Sequence, residues 1–186
     1  MNWFSNLFKS KKTNDTFHYE SETEWDAFIC FARGEKYFFN SEWDDALYHL
    51  DNAVEKNYKK KAELFEYRAI CLQTLGYEYD AIEDFTKAIE FSPNNCNLFY
   101  MRALSKDVIL DYEGEIKDIE KAIELSKQDT IMNRQYNESA INNGFSDGVI
   151  GMYKIALFRV KSRLEFDKRD TEKEYCNKQL QLIKRR

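Results

Sequence analysis

The chain repeats a pattern of small, aromatic and aliphatic residues every 34 or 35 positions. The clearest unit spans residues 62–95. Its landmarks are Phe65, Arg68, Ala69, Leu72, Gly76, Ala81, Phe85, Ala88 and Pro93. A period of this length indicates a repeat architecture, in which each unit exposes an apolar face that only a neighbouring unit can cover. The units must therefore stack into an elongated array with a long groove along it.

Residues 62–95 resemble the tetratricopeptide repeat (TPR), two antiparallel helices joined by a tight turn. The resemblance implies an all-α, right-handed superhelix (an α-solenoid) with three clear repeats at about 27–60, 62–95 and 96–129. A degenerate fourth repeat fits at 130–163, with helices expected at Ile131–Asn142 and Asp147–Phe166. The TPR domain is then expected at 21–166, between an amphipathic, basic tail at 1–20 and a C-terminal helix at 167–186.

Small residues recur where the helices of such an array would approach most closely. The two sets are Gly34, Ala69 and Ala103, and Ala46 and Ala81. We expect the first set between the two helices of a repeat and the second between successive repeats, because larger side chains there would push the helix axes apart. Repeat 3 departs from the pattern, since Glu115 takes the place of the second-set alanine.

Arginine also recurs at one repeat position, as Arg33, Arg68 and Arg102. A phosphate-binding ladder is one interpretation. The structural interpretation is favoured, because Asp84 and Asp118 each follow an arginine by 16 residues and can pair with it, and unpaired buried arginine is rare.

The family resemblance also implies a set of groove residues. In TPR proteins the concave face is lined mainly by the second, fifth, ninth and twelfth residues of each first helix. Here these are Phe28, Phe31, Glu35, Phe38, Glu63, Glu66, Ile70, Gln73, Asn97, Tyr100, Leu104 and Asp107. The set is aromatic at one end and acidic in the middle, so the expected ligand is a protein segment with apolar and basic residues. Alternatively, Phe28, Phe31 and Phe38 pack beneath the chain's own N-terminal segment, since aromatic clusters rarely stay uncovered.

One TPR specialisation is absent from this set. The chaperone-binding subgroup clamps a C-terminal carboxylate with lysine, asparagine and arginine at fixed groove positions. The matching residues here are Phe31, Glu35, Tyr67, Asn97 and Met101. Phe31, Glu35, Tyr67 and Met101 lack the basic and amide groups that pair with a carboxylate, and Asn97 alone does not form the clamp, so the sequence argues against a heat-shock co-chaperone of that type.

A catalytic function has one motif in its favour. Residues 144–148 match GxSxG, the nucleophile elbow of serine hydrolases, with Ser146 as nucleophile. That motif needs a strand before it and a histidine after it, whereas the preceding residues are polar and both histidines, His18 and His49, come earlier. The chain has no phosphate-cradling glycine loop, and its four cysteines match no zinc spacing. The sequence therefore predicts a non-catalytic protein with no cofactor and no metal.

Charge is distributed unevenly along the chain. Residues 1–12 carry +3 and residues 146–186 carry +5, so a total of −5 leaves −13 on residues 13–145. An acidic body would repel phosphates, which argues against nucleic acid and favours a protein or peptide partner, basic or amphipathic. The unpaired cysteines and the absence of a signal-peptide pattern predict a cytoplasmic protein.

The first twelve residues suggest a second function. Apolar Trp3, Phe4, Leu7 and Phe8 have helical spacing and are followed by Lys9, Lys11 and Lys12. This segment fits a peripheral membrane adaptor anchored weakly on an anionic surface, or an element that docks on another protein or on the groove. The sequence leaves open the partner's identity, self-occupation of the groove and assembly into homo-oligomers.

Overall fold

The computed structural model describes residues 22–166, which form eight α-helices with no strand between them. The helices are α1 (Glu22–Phe39), α2 (Trp43–Glu55), α3 (Lys61–Thr74), α4 (Glu78–Phe91), α5 (Cys96–Val108), α6 (Tyr112–Ser126), α7 (Ile131–Asn142) and α8 (Gly148–Phe166). The tail at 1–20 and the helix expected at 167–186 lie outside the described residues.

The first six helices stack as three successive hairpins. Helices α1 and α2, α3 and α4, and α5 and α6 pack as pairs, while α3 packs on α2 and α5 on α4. Each hairpin thus contacts its neighbours in sequence, which is the arrangement that the repeats predict. Two buried apolar clusters run through this stack, one centred on repeats 1 and 2 and the other on repeat 3 and the last two helices.

All four hairpins share one turn geometry. Ser41, Gly76, Leu110 and Gly144 have φ angles of 63°, 82°, 59° and 94°, in the left-handed region. Next to each of them the same backbone bond closes the turn, as from Tyr77 N to Leu72 O at 2.9 Å and from Phe145 N to Ala140 O at 3.1 Å. This is the helix C-terminal motif that glycine favours. Leu110 adopts it without glycine, at a cost of about 1 kcal/mol.

The alanines of the small-residue sets are fully buried, and Gly34 explains why the positions are small. A Cβ atom placed on Gly34 would lie 2.7 Å from Cγ of Leu50 and 3.2 Å from the Leu50 backbone nitrogen. Ordinary contacts between carbon atoms are longer by about 1 Å. Helices α1 and α2 therefore pack so closely at Gly34 that no side chain fits between them.

We expect Gly34→Ala to lower the free energy of unfolding by about 1–2 kcal/mol, because the clash with Leu50 outweighs the helix propensity that alanine adds. Urea unfolding followed by circular dichroism measures the loss. In a Leu50→Ala background the same substitution should cost markedly less, and an equal cost in both backgrounds would show that the Leu50 contact is not the cause.

The fourth hairpin keeps the turn but not the stacking. Helix α8, rather than α7, packs along α6. Tyr153 stacks on Tyr100 with ring centroids 4.6 Å apart, and Arg163, three turns later, pairs with Asp107 near the end of α5. Helix α8 thus runs parallel to α5, as the first helix of a repeat does, and the 2.8 Å pair between Lys161 and Glu120 joins it to α6.

Helix α7 instead lies against the start of α5 and the end of α6. Asn133 donates to the carbonyl oxygen of Leu125 at 2.9 Å, and the Tyr136 hydroxyl donates to Oδ1 of Asn95 at 3.2 Å. Only Asn133, Tyr136 and Ala140 of this helix are buried. Helix α8 buries four apolar side chains, including Tyr153 and Val160, so α8 gains more by taking the long contact with the stack.

Candidate binding groove

An aromatic strip runs along one face of α1 and consists of Trp25, Phe28, Phe31 and Phe38. Phe31 stacks on Tyr58 and Phe38 stacks on Tyr67, with centroid distances of 4.4 and 4.7 Å. Phe31 and Phe38 are each only 4% exposed, so both are part of the core as well as of the strip. Phe28 is half-buried beside Trp25, which is 47% exposed. The strip is therefore most accessible toward the start of α1.

Three carboxylates of the predicted groove set act electrostatically on Tyr67, and we call Glu35, Glu63 and Glu66 the acidic cluster. The hydroxyl donates to Oε1 of Glu35 at 3.5 Å. Burial raises the pKa of Tyr67, and the negative charges of all three glutamates raise it further. Glu35 and Glu63 are half-buried and Glu66 is buried. The strip and the acidic cluster thus meet at Tyr67, which is not one of the twelve predicted groove residues.

The middle of the predicted set connects α3 to α5. Gln73 donates to the carbonyl oxygen of Met101 at 3.0 Å and to the Ser105 hydroxyl at 2.8 Å. Ile70 and Asn97 are 1% and 2% exposed, and Leu104 is half-buried. Among these residues Leu104 is the one that offers apolar surface, while the others mainly hold the two repeats together.

The last two residues of the predicted set contact α8. Tyr100 stacks on Tyr153, and Asp107 pairs with Arg163, which also lies 3.3 Å from Oε1 of Glu115. This end of the concave surface is therefore covered by the chain's own helix. The signal in the sequence was Glu115 itself, because a carboxylate in place of a buried alanine needs a cation nearby.

The arginines pair as the structural interpretation predicted, and that interpretation is confirmed. Arg68 binds both carboxylate oxygens of Asp84 at 2.5 and 2.8 Å, and Arg102 binds both of Asp118 at 2.8 and 2.7 Å. Such two-point pairing is the strongest geometry available to a guanidinium and a carboxylate. Both arginines are thus already engaged, and Arg33 of repeat 1 is exposed.

Each paired arginine also reaches the second helix of the preceding repeat. Arg68 Nη1 lies 3.3 Å from Oδ1 of Asp51 on α2, and Arg102 Nη1 donates to the Thr86 hydroxyl on α4 at 2.9 Å. The repeat spacing alone does not reveal these contacts, because they depend on how far one hairpin is rotated against the next.

The GxSxG motif lies in the turn between α7 and α8. A helix precedes it where a hydrolase elbow requires a strand, and Ser146 is exposed. The turn leads into the first turn of α8, where the Val149 amide donates to Oδ1 of Asn137 on α7 at 3.0 Å. A Cβ atom on Gly148 would lie 2.0 Å from that same oxygen, which accounts for the second glycine of the motif.

Across residues 22–166 no group of three histidine, cysteine, aspartate or glutamate side chains is placed to hold a metal ion. In the same range no helix is both long and apolar enough to cross a membrane.

No protein-family model matches the chain. It is 33% identical over 90 residues to serine/threonine-protein phosphatase T of Aspergillus oryzae, across 47% of this chain and 18% of that protein. It is 28% identical over 121 residues to human tetratricopeptide repeat protein 13, across 65% of this chain and 14% of that protein. The match thus spans less than a fifth of each of these relatives.

Solved structures resemble the fold over most of the chain. PcrH of Pseudomonas aeruginosa, in complex with the chaperone-binding region of PopD, gives a TM-score of 0.61 at 15% identity, over 82% of this chain and 99% of PcrH. The TPR2B domain of yeast Sti1, in a complex with pHsp70, gives 0.55 at 21% identity, over 75% of this chain and 98% of that domain. Both likenesses confirm that the chain has the all-helical solenoid fold of tetratricopeptide-repeat domains.

Proposed function

We propose that the chain is a non-catalytic protein-interaction scaffold that binds a peptide or helix of a partner in its concave groove. The observation that carries this proposal is the junction at Tyr67, where the aromatic strip meets the acidic cluster. An aromatic surface binds aliphatic side chains, and clustered carboxylates beside it favour lysine or arginine. The partner segment is therefore expected to be amphipathic and basic.

The solved complexes support this class of function. The PcrH structure holds the chaperone-binding region of PopD, and the Sti1 domain is in a complex with pHsp70. These proteins share the fold and differ widely in sequence from this chain, so they support the use of such a scaffold for binding protein segments. These complexes do not identify the partner of this chain, so its expected chemistry is inferred from the groove residues.

The groove is best tested at residues that are half-buried rather than fully buried in the core. We choose Phe28→Ser with Glu63→Lys, because substitution of Phe31 or Tyr100 would disturb the Tyr67 and Tyr153 stacks. The matched control is Tyr48→Ser with Asp44→Lys on α2, where Tyr48 is 63% exposed and Asp44 is exposed. Affinity capture from native lysate is followed by mass spectrometry and by titration of the purified partner.

We expect the groove variant to bind the captured partner at least tenfold more weakly than the unmodified chain, and the control variant to bind it normally. Circular dichroism must show both variants folded. Equal binding by all three proteins would contradict the proposal and move the interaction to another surface.

A further inference from the structure

The N-terminal segment of the chain contains the residue types that the groove is expected to bind. The aromatic strip and the acidic cluster call for apolar residues followed by lysine, and residues 3–12 contain that sequence in Trp3, Phe4, Leu7 and Phe8 and then Lys9, Lys11 and Lys12. The three lysines match the three glutamates of the acidic cluster in number and oppose them in sign.

The connection is also long enough. Helix α1 begins at Glu22 and has 18 residues, so it extends about 27 Å. Residues 13–21 separate Lys12 from that start, and nine residues can span about 30 Å when extended. Lys12 can therefore reach any point along α1, including Glu35 in its second half.

The accessible part of the groove lies on the same side as that connection. The strip is most exposed at Trp25 and Phe28, in the first two turns of α1, whereas the far end is covered by Tyr153 and Arg163 of α8. A segment arriving from the N-terminus thus meets the accessible end first.

We propose that residues 3–12 dock in the concave groove, with their apolar side chains on the aromatic strip and their lysines on the acidic cluster, and so occupy the site until a partner displaces them. This inference rests on the proposed function, because the partner and the N-terminal segment would compete for one surface. A tethered segment acts at an effective concentration on the order of 1 mM, so even weak docking reduces partner affinity measurably.

The test uses a fluorescein-labelled synthetic peptide of residues 1–12 and the full chain. Fluorescence anisotropy gives the peptide's Kd for the unmodified chain and for a tail variant, Phe4→Ser with Leu7→Ser and Phe8→Ser. We expect the tail variant to bind the peptide at least tenfold more tightly, because its own segment no longer competes. Adding Glu63→Lys to the tail variant should weaken peptide binding at least tenfold, whereas adding Asp44→Lys on α2 should leave it unchanged.

Equal Kd values for the unmodified chain and the tail variant would overturn the inference, as would peptide binding that ignores Glu63→Lys. Absence of peptide binding, with co-sedimentation of the unmodified chain but not the tail variant on phosphatidylserine vesicles, would also overturn it in favour of a membrane anchor. If the peptide fails to bind while a lysate partner depends on the groove, this inference fails and the proposed function stands. If the peptide binds and no groove-dependent partner is found, docking of residues 3–12 stands, whereas the proposed function and displacement by a partner fail.

Discussion

Replacing Arg68 by alanine is expected to lower the free energy of unfolding by about 3–5 kcal/mol, the largest effect of any single substitution considered for this chain. Asp84 is 2% exposed, and the substitution would remove the guanidinium that binds both its carboxylate oxygens, leaving only Lys87, 3.3 Å from Oδ1, to balance the buried charge. For a chain of this length the loss corresponds to a fall in melting temperature of roughly 10 °C. Differential scanning calorimetry measures it directly.

The chain contains a matched control for this experiment. Arg33 occupies the same position of repeat 1, is exposed, and is followed 16 residues later by His49, where repeats 2 and 3 have aspartate. Arg33→Ala should change the melting temperature by about 1 °C or less, since surface substitutions seldom alter stability by more than about 0.5 kcal/mol. Equal losses for Arg33→Ala and Arg68→Ala would mean that the carboxylate pairing is not what stabilises the stack. An unchanged Arg68→Ala protein that lost its partner would restore the ligand-binding interpretation.

Glu115→Gln is expected to change how stability depends on pH. Burial raises the pKa of Glu115 to about 7, and Asp107 raises it as well, while Arg163 opposes the shift and Asp111 adds to it. The folded state therefore holds a proton on this carboxyl between about pH 4.5 and 7 that the unfolded chain has lost. That contribution to stability is fully present below pH 4.5 and disappears as pH rises through 7.

The unmodified chain should accordingly lose on the order of 3 kcal/mol between pH 5 and pH 8 through this group, and Glu115→Gln should lack that loss. Urea unfolding at both pH values gives the comparison, and at pH 8 the variant is expected to be the more stable protein. Glu113→Gln, at an exposed site on the same helix, should follow the unmodified chain. If Glu115→Gln were instead less stable at pH 8, the ion pair with Arg163 would outweigh the cost of burying the charge.

Local sequence signals predicted most of the helical framework. The bounds of α7 are those expected from the residues, because Thr130 caps its first turn and a left-handed glycine at 144 follows its last turn. The pairing of Arg68 with Asp84 also followed from the sequence, since a constant separation of 16 residues in a repeat of constant geometry keeps two side chains in contact.

The position of α8 did not follow, because the register of a fourth repeat at 130–163 predicts the two helices and their turn but not which helix packs on α6. Nearby residues determine where a helix and its turn form. Whether α7 or α8 packs on α6 depends instead on buried area and on distant pairs such as Arg163 with Asp107. For the same reason, the sequence did not predict how exposed each groove residue is. Repeat position places Phe31 and Tyr100 on the concave face, while their stacks with Tyr67 and Tyr153 depend on neighbouring helices.

The contacts that Arg68 and Arg102 make with the preceding repeat bear on selectivity as well as stability. Asp51 and Thr86, which they reach, lie outside the predicted groove set. Each contact fixes the rotation between two hairpins, and small rotations add along a solenoid to give its pitch and the width of its inner surface. We therefore expect the resistance of the stack to widening to depend on contacts that lie outside the predicted groove set. Under the proposed function, a segment too broad for the groove would have to strain these contacts, so we expect the chain to discriminate by width among ligands of identical charge.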